Sequence, residues 1–277
     1  MTKMAIFLSL AWVAACLQAQ DLPLVDGSIR FAIIGDMGTG APPQYEVAET
    51  MEEVRRRTSF NFVIMVGDDI YGRKSSGDFD KKFARPYAAL LSAGVNFYAS
   101  LGNHDVSAEE FYKPFNMNGR RYYDFDRGSV RFFALDSDYM DPDQLKWLSA
   151  ELRSSHATWK IPFFHHPLYS SGIAHGSSLE LREILEPIFV QNGVHVVFSG
   201  HDHVYERTKP QQGITYFVEG SSGELRPGGL RQADFEAAGF DTDRTFMVAE
   251  ISGDKLFFET FSRAGLLVDS GTIEQSK

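Results

Sequence analysis

Five short polar motifs, each closing an apolar run of strand length, constrain this 277-residue chain more than any bulk property. Gly35-Asp36-Met37-Gly38 follows the run 29–34, Gly67-Asp68-Asp69-Ile70-Tyr71 the run 60–66, and Gly102-Asn103-His104-Asp105 the run 95–101. His165-His166-Pro167 follows 159–164, and Gly200-His201-Asp202-His203 follows 194–198. Runs this apolar read as strands covered on both faces, as in a parallel sheet with helices between its strands. Core packing has no need of Asp, Asn, Tyr and His gathered at the same end of successive strands. A pair of metal ions does need them.

The segments between the motifs fit helices. Residues 45–57 carry apolar positions at helical spacing, and 79–91 repeat the pattern with Pro86 as the expected kink or break. Asp141-Pro142 opens a helix over 143–152 as an N-cap followed by a first-turn proline. A further helix over 178–191 ends at Asn192-Gly193. Residues 122–126 and 130–135 flank Arg127-Gly128 and predict a hairpin. The stretches 214–218, 245–251, 255–261 and 267–273 predict a C-terminal antiparallel meander. Together these elements predict one α/β domain over 27–275, a sandwich of two mixed β-sheets flanked by helices. Ligands in such folds bind beyond the carboxyl ends of the strands, which is where all five motifs fall.

The formal net charge of −10 argues against a nucleic-acid scaffold or a polybasic membrane-surface binder. It does not argue against an anionic substrate, because bound metal ions dominate the local field of a cleft. Residues 1–19 read as an export signal: Lys3, then an apolar stretch over 5–15, then small residues. That stretch is shorter than the roughly 20 residues that span a bilayer as a helix. Cleavage after Ala19 predicts a periplasmic or extracellular product. Val13-Ala14-Ala15-Cys16 also fits a lipoprotein signal, and lipidation at Cys16 is the one route to a membrane. A retained anchor or a buried N-terminal helix is the remaining reading. Cys16 is the sole cysteine, so the expected mature body has no disulfide, zinc–thiolate site or cysteine nucleophile.

A lone Gly-Asp-x-Gly is an ordinary turn, and His201-x-His203 alone is an ordinary histidine pair. Five motifs in this order are specific. They resemble the calcineurin-like metallophosphoesterases and, within them, the small single-domain, tartrate-resistant type of purple acid phosphatase. The likeness runs through nearly all of the chain after the leader. Most of the superfamily has Asp-x-His in the first motif, where this chain has Asp36-Met37-Gly38. Purple acid phosphatases replace that imidazole with a tyrosine three residues after the bridging aspartate, here Tyr71 after Asp68. The stretch from Gly200 to Arg207 resembles the last motif, and His165-x-Pro167 the isolated histidine motif. The resemblance implies that Asp36, Tyr71 and His203 hold one ion, that Asn103, His165 and His201 hold a second, and that Asp68 bridges them. It implies Fe(III) in the first site with Fe(II), Zn or Mn in the second. The donors agree: phenolate and carboxylates suit a hard trivalent ion, imidazoles and an amide a divalent one.

Two such ions clamp both ends of an in-line displacement and lower the pKa of a shared water, whose hydroxide then attacks phosphorus. His104 is expected to protonate the leaving alcohol and Asp105 to orient its ring. His175, in Ala174-His175-Gly176, is expected to contact phosphate or donate a proton. His166 reads as a structural or a functional donor. Asp69, where many relatives carry Asn, reads as a loop cap or a partner that tunes the site, and Asp202 as a support behind the ligands. Arg120-Arg121 reads as substrate attraction or solvated surface, 219–229 as a rim loop, and Tyr205-Glu206-Arg207 as a packing and ion-pair element. His156 and His195 carry no motif. The implied function is an exported monomer that hydrolyses small phosphate monoesters as an acid phosphatase. The alternatives are a phosphodiesterase or nucleotide phosphohydrolase of the same fold, a metal- or phosphate-binding relative without catalysis, and a structural lipoprotein.

Overall fold

Aromatic rings from two facing sheets interlock at the centre of the molecule, seen in a computed structural model that describes residues 22–275. The expected leader and Cys16 lie outside those residues. Along the chain come β1 (Ile29–Ile34), α1 (Pro42–Thr58), β2 (Phe62–Met65), α2 (Ser76–Phe79), α3 (Ala88–Ser92) and β3 (Asn96–Ala99). Next are β4 (Tyr123–Arg127), β5 (Val130–Ala134), α4 (Pro142–Ser154), β6 (Trp159–Phe163), α5 (Leu179–Gln191) and β7 (Val196–Ser199). The last are β8 (Tyr205–Thr208), β9 (Thr215–Glu219), β10 (Glu236–Phe240), β11 (Thr245–Ser252), β12 (Lys255–Ser262) and β13 (Leu267–Glu274).

One sheet has six strands in the order β13-β12-β11-β1-β2-β3, and the other has seven in the order β10-β8-β9-β7-β6-β5-β4. β1, β2 and β3 run parallel, as do β5, β6, β7 and β9, so both sheets are mixed. Phe31 of the first sheet meets Phe132 of the second edge-on at 5.1 Å, and Phe62 meets Phe132 at 5.3 Å. Phe217 and Phe258 close the gap elsewhere at 5.1 Å. Burying one such ring contributes about 2 kcal/mol, more than a surface ion pair does. Alternation along β5 turns Phe132 into this core and Phe133 outward, where α4 and α5 cover it with Leu148, Leu152, Leu185 and Phe189.

Most elements lie where the sequence predicts them. Asp141 caps α4, its carboxylate accepting from the Gln144 amide at 2.8 Å. The stretch around Pro86 is indeed interrupted: α2 passes through a wide π turn at Asp80–Ala84 before α3 begins. The meander is a correction. Residues 214–218 do not join β11, β12 and β13; as β9 they sit in the opposite sheet, parallel to β7 and antiparallel to β8. β8 and β10 are additions. Tyr205-Glu206-Arg207 begins β8, where Arg207 pairs with Asp269 of β13 at 2.7 Å and so ties the two sheets together at that edge.

Glu206 on β8 is fully buried, with one carboxylate oxygen taking the Ser171 amide at 2.7 Å and the other without a partner. Burial pushes its carboxyl up to about 7, against the lowering effect of Ser171. The folded-state value lies above the unfolded one, so its contribution to stability is complete at low pH and is lost as pH rises through about 7. Melting temperature should therefore fall between about pH 5 and pH 8, and Glu206→Gln should flatten that fall. An identical pH profile in the variant would contradict this account.

Candidate metal centre

Asp36, Asp68, Asn103, His165 and His201 each stand just past the carboxyl end of β1, β2, β3, β6 and β7 respectively. Three of them turn the chain through the left-handed region: Asp36 with φ 52°, Asp68 with φ 54° and His201 with φ 72°. Non-glycine residues held there store about 1–3 kcal/mol each, which the surrounding fold must offset. The reward is convergence. Asp36, Asp68 and His165 form a fully buried floor. Tyr71, His201 and His203 are half-buried around it, and Asn103, His104 and His175 are exposed at the mouth.

Two groups of donor atoms result. In the first, the Tyr71 hydroxyl lies 3.2 Å from Asp36 Oδ1 and 3.3 Å from His203 Nε2, and His203 Nε2 lies 3.5 Å from Asp36 Oδ1. In the second, His165 Nε2 lies 3.1 Å from both Asn103 Oδ1 and His201 Nδ1, and 3.5 Å from Asp68 Oδ2. Neighbouring ligands around an ion with bonds of about 2.1 Å are themselves about 3 Å apart, so the spacing fits.

The proton inventory fits as well. His165 Nδ1 is 3.0 Å from the Val66 carbonyl, which can only accept, so Nδ1 carries the hydrogen and Nε2 the lone pair. That lone pair then faces the amide oxygen of Asn103 and the carboxylate of Asp68. Acceptors with no proton between them, gathered at a buried point, call for a cation. Electrostatics agree: burial holds His165 well below the ordinary imidazole range, and burial with the adjoining His165 takes His201 down to about 2. Both stay neutral, as ligands must. Burial lifts Asp36 to about 7 against its bond from His203, and burial with the adjoining Asp36 and Asp68 raises Tyr71 far above an ordinary phenol. A phenolate at that point requires a strong positive charge beside it.

The structure thus brings together every residue that the sequence assigns to metal binding. His104 sits at the mouth, its backbone N–H donating to Asp68 Oδ1 at 2.9 Å and its ring 5.0 Å from that of Tyr71. His175 lies with its ring 4.0 Å from the His201 ring. Asp105 requires a correction: its carboxylate does not bond the His104 ring but takes the backbone amides of Gly102, Asp69 and Ile70 at 2.9, 3.1 and 3.2 Å. It joins the Asp68 loop to the Asn103 loop. Asp69 requires another: it caps nothing, because both its carboxylate oxygens are buried without a hydrogen-bond partner.

Other supports are clearer in three dimensions. Asp202 accepts from Ser170 Oγ at 2.6 Å, Gly176 N at 2.9 Å and His175 N at 3.2 Å, so it fixes the loop that presents His175. His166 bonds Ser137 Oγ through Nδ1 at 2.9 Å and packs on the His201 ring at 4.4 Å. Sequence reasoning passed over Ser137; its signal was the run 130–135 ending in Asp136-Ser137-Asp138, a sixth polar strand end. The rim loop rests against the site, Glu224 N donating to the Asp36 carbonyl and Arg226 N to that of His203, both at 2.9 Å. Arg121 pairs with Asp136 at 2.6 Å and lies over the Tyr139 ring.

Glycines beside the ligands let the loops approach. A Cβ on Gly102 would lie 2.4 Å from Asp68 Oδ1, and one on Gly200 would lie 2.5 Å from Asp36 Oδ2. Gly102→Ala should therefore push the Asp68 carboxylate aside, cost about 1–3 kcal/mol of stability and lower metal content. Elemental analysis checks this, and full occupancy in a folded variant would contradict it.

Comparisons with known proteins converge on one family. The calcineurin-like phosphoesterase model matches residues 29–205, more than half of the chain. Purple acid phosphatase 4 of Arabidopsis thaliana is 32% identical over 241 residues, covering 74% of this chain and 70% of its own. Among solved structures, the purple acid phosphatase PPD1 of yellow lupin superposes with a TM-score of 0.72 at 21% identity, over 91% of this chain and 55% of its own. GAP50, described as the anchor in the inner membrane complex of Plasmodium, superposes with a TM-score of 0.79 at 19% identity, over 90% of each chain. The chain is a member of the calcineurin-like phosphoesterase family, on its purple acid phosphatase branch.

Proposed function

We propose that this protein is an exported acid phosphatase that hydrolyses small phosphate monoesters at a dimetal centre. The observation that carries the reading is the double convergence of metal-ligating side-chain types around Asp68, with Asp36, Tyr71 and His203 on one side and Asn103, His165 and His201 on the other. Ions held there supply two things: positive charge against the phosphoryl oxygens and an acidified water as nucleophile. Tyr71 and Asp36 favour Fe(III) in the first position, and the imidazoles favour Fe(II), Zn or Mn in the second. The export signal read over residues 1–19 supports secretion, with lipidation at Cys16 as the alternative fate.

The remaining groups divide the work on the substrate. His104 stands exposed beside the Asn103 ligand, anchored through its backbone to Asp68, where it can hold the proton that the leaving alcohol needs. His175 stands exposed against the His201 ring, where it can contact the phosphate of a bound ester. Asp202 keeps His175 in place through the loop it caps. Asp105 locks the loops of Asp68 and Asn103 to one another, which holds the two donor groups at a constant separation.

An aryl phosphate monoester should be turned over at acid to neutral pH far faster than a bis-aryl diester. His104→Ala should retain its metals and lose most activity, about 10²-fold or more, on esters with poor leaving groups. Faster diester cleavage would replace the monoesterase reading with the phosphodiesterase one. No cleavage of either by metal-replete protein would leave a binding protein. The Fe(III) assignment has its own signature, a visible charge-transfer band that Tyr71→Phe abolishes; a colourless iron-loaded protein would remove it.

A further inference from the structure

A second acidic cluster lies behind the loops of the metal centre. Asp69 belongs to the Asp68 loop, Asp105 to the Asn103 loop, and Glu109 to the short 3-10 turn Ser107–Phe111. Carboxylate oxygens of all three lie within 4.8 Å of one another. The positive charge placed against them is Lys74, whose Nζ is 2.9 Å from Glu109 Oε1 and 3.6 Å from Asp105 Oδ1. Fully ionised, as a bound cation would hold them, three carboxylates exceed that one ammonium by two negative charges. Asp105 is further compensated by three backbone amides, as described above. Asp69 is not: it is fully buried, and neither of its oxygens has a hydrogen-bond partner. The Asp69 backbone amide bonds Asp105, but its carboxylate shares no proton with Asp105 or Glu109, since neither of its oxygens makes a hydrogen bond. Left alone it is a buried polar group without compensation, the most costly kind in a protein interior.

We propose that Asp69, Asp105 and Glu109 form a binding site for a hard divalent cation, Ca2+ or Mg2+, separate from the dimetal centre. Three features of the cluster fit such an occupant. Its ligands are all carboxylate oxygens, which favour hard cations over the transition metals that imidazole attracts. Its charge excess equals that of one divalent ion. Its oxygens, all within 4.8 Å of one another, are also close enough to share one ion, since oxygens on opposite sides of Ca2+ at about 2.4 Å each stand about 4.8 Å apart. The ion would join three chain segments, two of which carry proposed ligands of the dimetal centre. Occupancy therefore clamps the Asp68 and Asn103 loops together from behind and takes no part in the chemistry.

The test uses full-length protein with its dimetal centre loaded, dialysed free of loosely held ions and then titrated with Ca2+ and, separately, Mg2+. Calorimetry and elemental analysis should find one equivalent of one of these ions per chain, beyond the transition metals. The melting temperature should rise by several degrees with saturation, because an ion that binds only the folded state stabilises it by mass action. Asp69→Asn should abolish both the binding and the rise while keeping its transition-metal content. Glu109→Gln, which leaves the Asp68 loop untouched, should do the same and serves if Asp69→Asn fails to fold. No binding of either ion by the wild type at millimolar concentration would overturn the proposal, as would equal binding by the wild type and the variants. These readouts do not depend on turnover, so they stand or fall apart from the phosphatase reading.

Discussion

A set of acceptor atoms forced together without protons is the constraint from which the rest of this structure follows. His165 spends its single hydrogen on the Val66 carbonyl, and its bare nitrogen then faces the oxygens of Asp68 and Asn103. Tyr71, Asp36 and His203 form a second close group, in which the Tyr71 hydroxyl donates to Asp36 and would lose that proton to a bound cation. Such an assembly is unstable in a dry interior unless positive charge occupies it. It is tolerated here because strands from both sheets end at the same place and the interlocked aromatic core fixes those ends.

The cost of convergence is visible in the backbone. Asp36, Asp68 and His201 are bent into the left-handed region, and glycines flank them where a side chain would strike a neighbouring ligand. Local strain of this kind persists only where the surrounding packing over-determines it. The packing that does so is the double sheet, with Phe31, Phe62 and Phe132 interlocked beneath the motif loops. Behind the site, Asp105 and Asp202 convert loops into fixed platforms, one for the metal loops and one for His175.

Much of this was legible in the sequence because each buried strand is a short unbroken apolar run and each run ends abruptly in polar residues. β1, β2, β3, β6 and β7 were readable on that basis, and α4 from its Asp-Pro cap. β8 and β10 were not: β10 is an edge strand of mixed burial, and β8, though mostly buried between β10 and β9, is Tyr205-Glu206-Arg207-Thr208 and lacks the apolar run that marks the others. The sheet membership of 214–218 was misread because strand pattern carries no information on partner, and only the tertiary fold pairs β9 with β7. Asp105 and Asp69 show the same limit at side-chain scale. Adjacency in sequence pointed Asp105 at His104, whereas the chain direction after Asn103 turns its carboxylate back onto backbone amides.

Fold likeness alone does not decide catalysis, since GAP50, described as an anchor, superposes on this chain with a TM-score of 0.79, against 0.72 for the lupin purple acid phosphatase. The proposed catalysis rests instead on the donor chemistry around Asp68. The most direct measurement is the transition-metal content of purified wild-type protein beside Asp68→Asn. A carboxylate shared by two ions predicts about two equivalents in the wild type and loss of both in the variant. Wild-type protein without bound transition metal, or an Asp68→Asn variant that keeps both ions, would contradict the account.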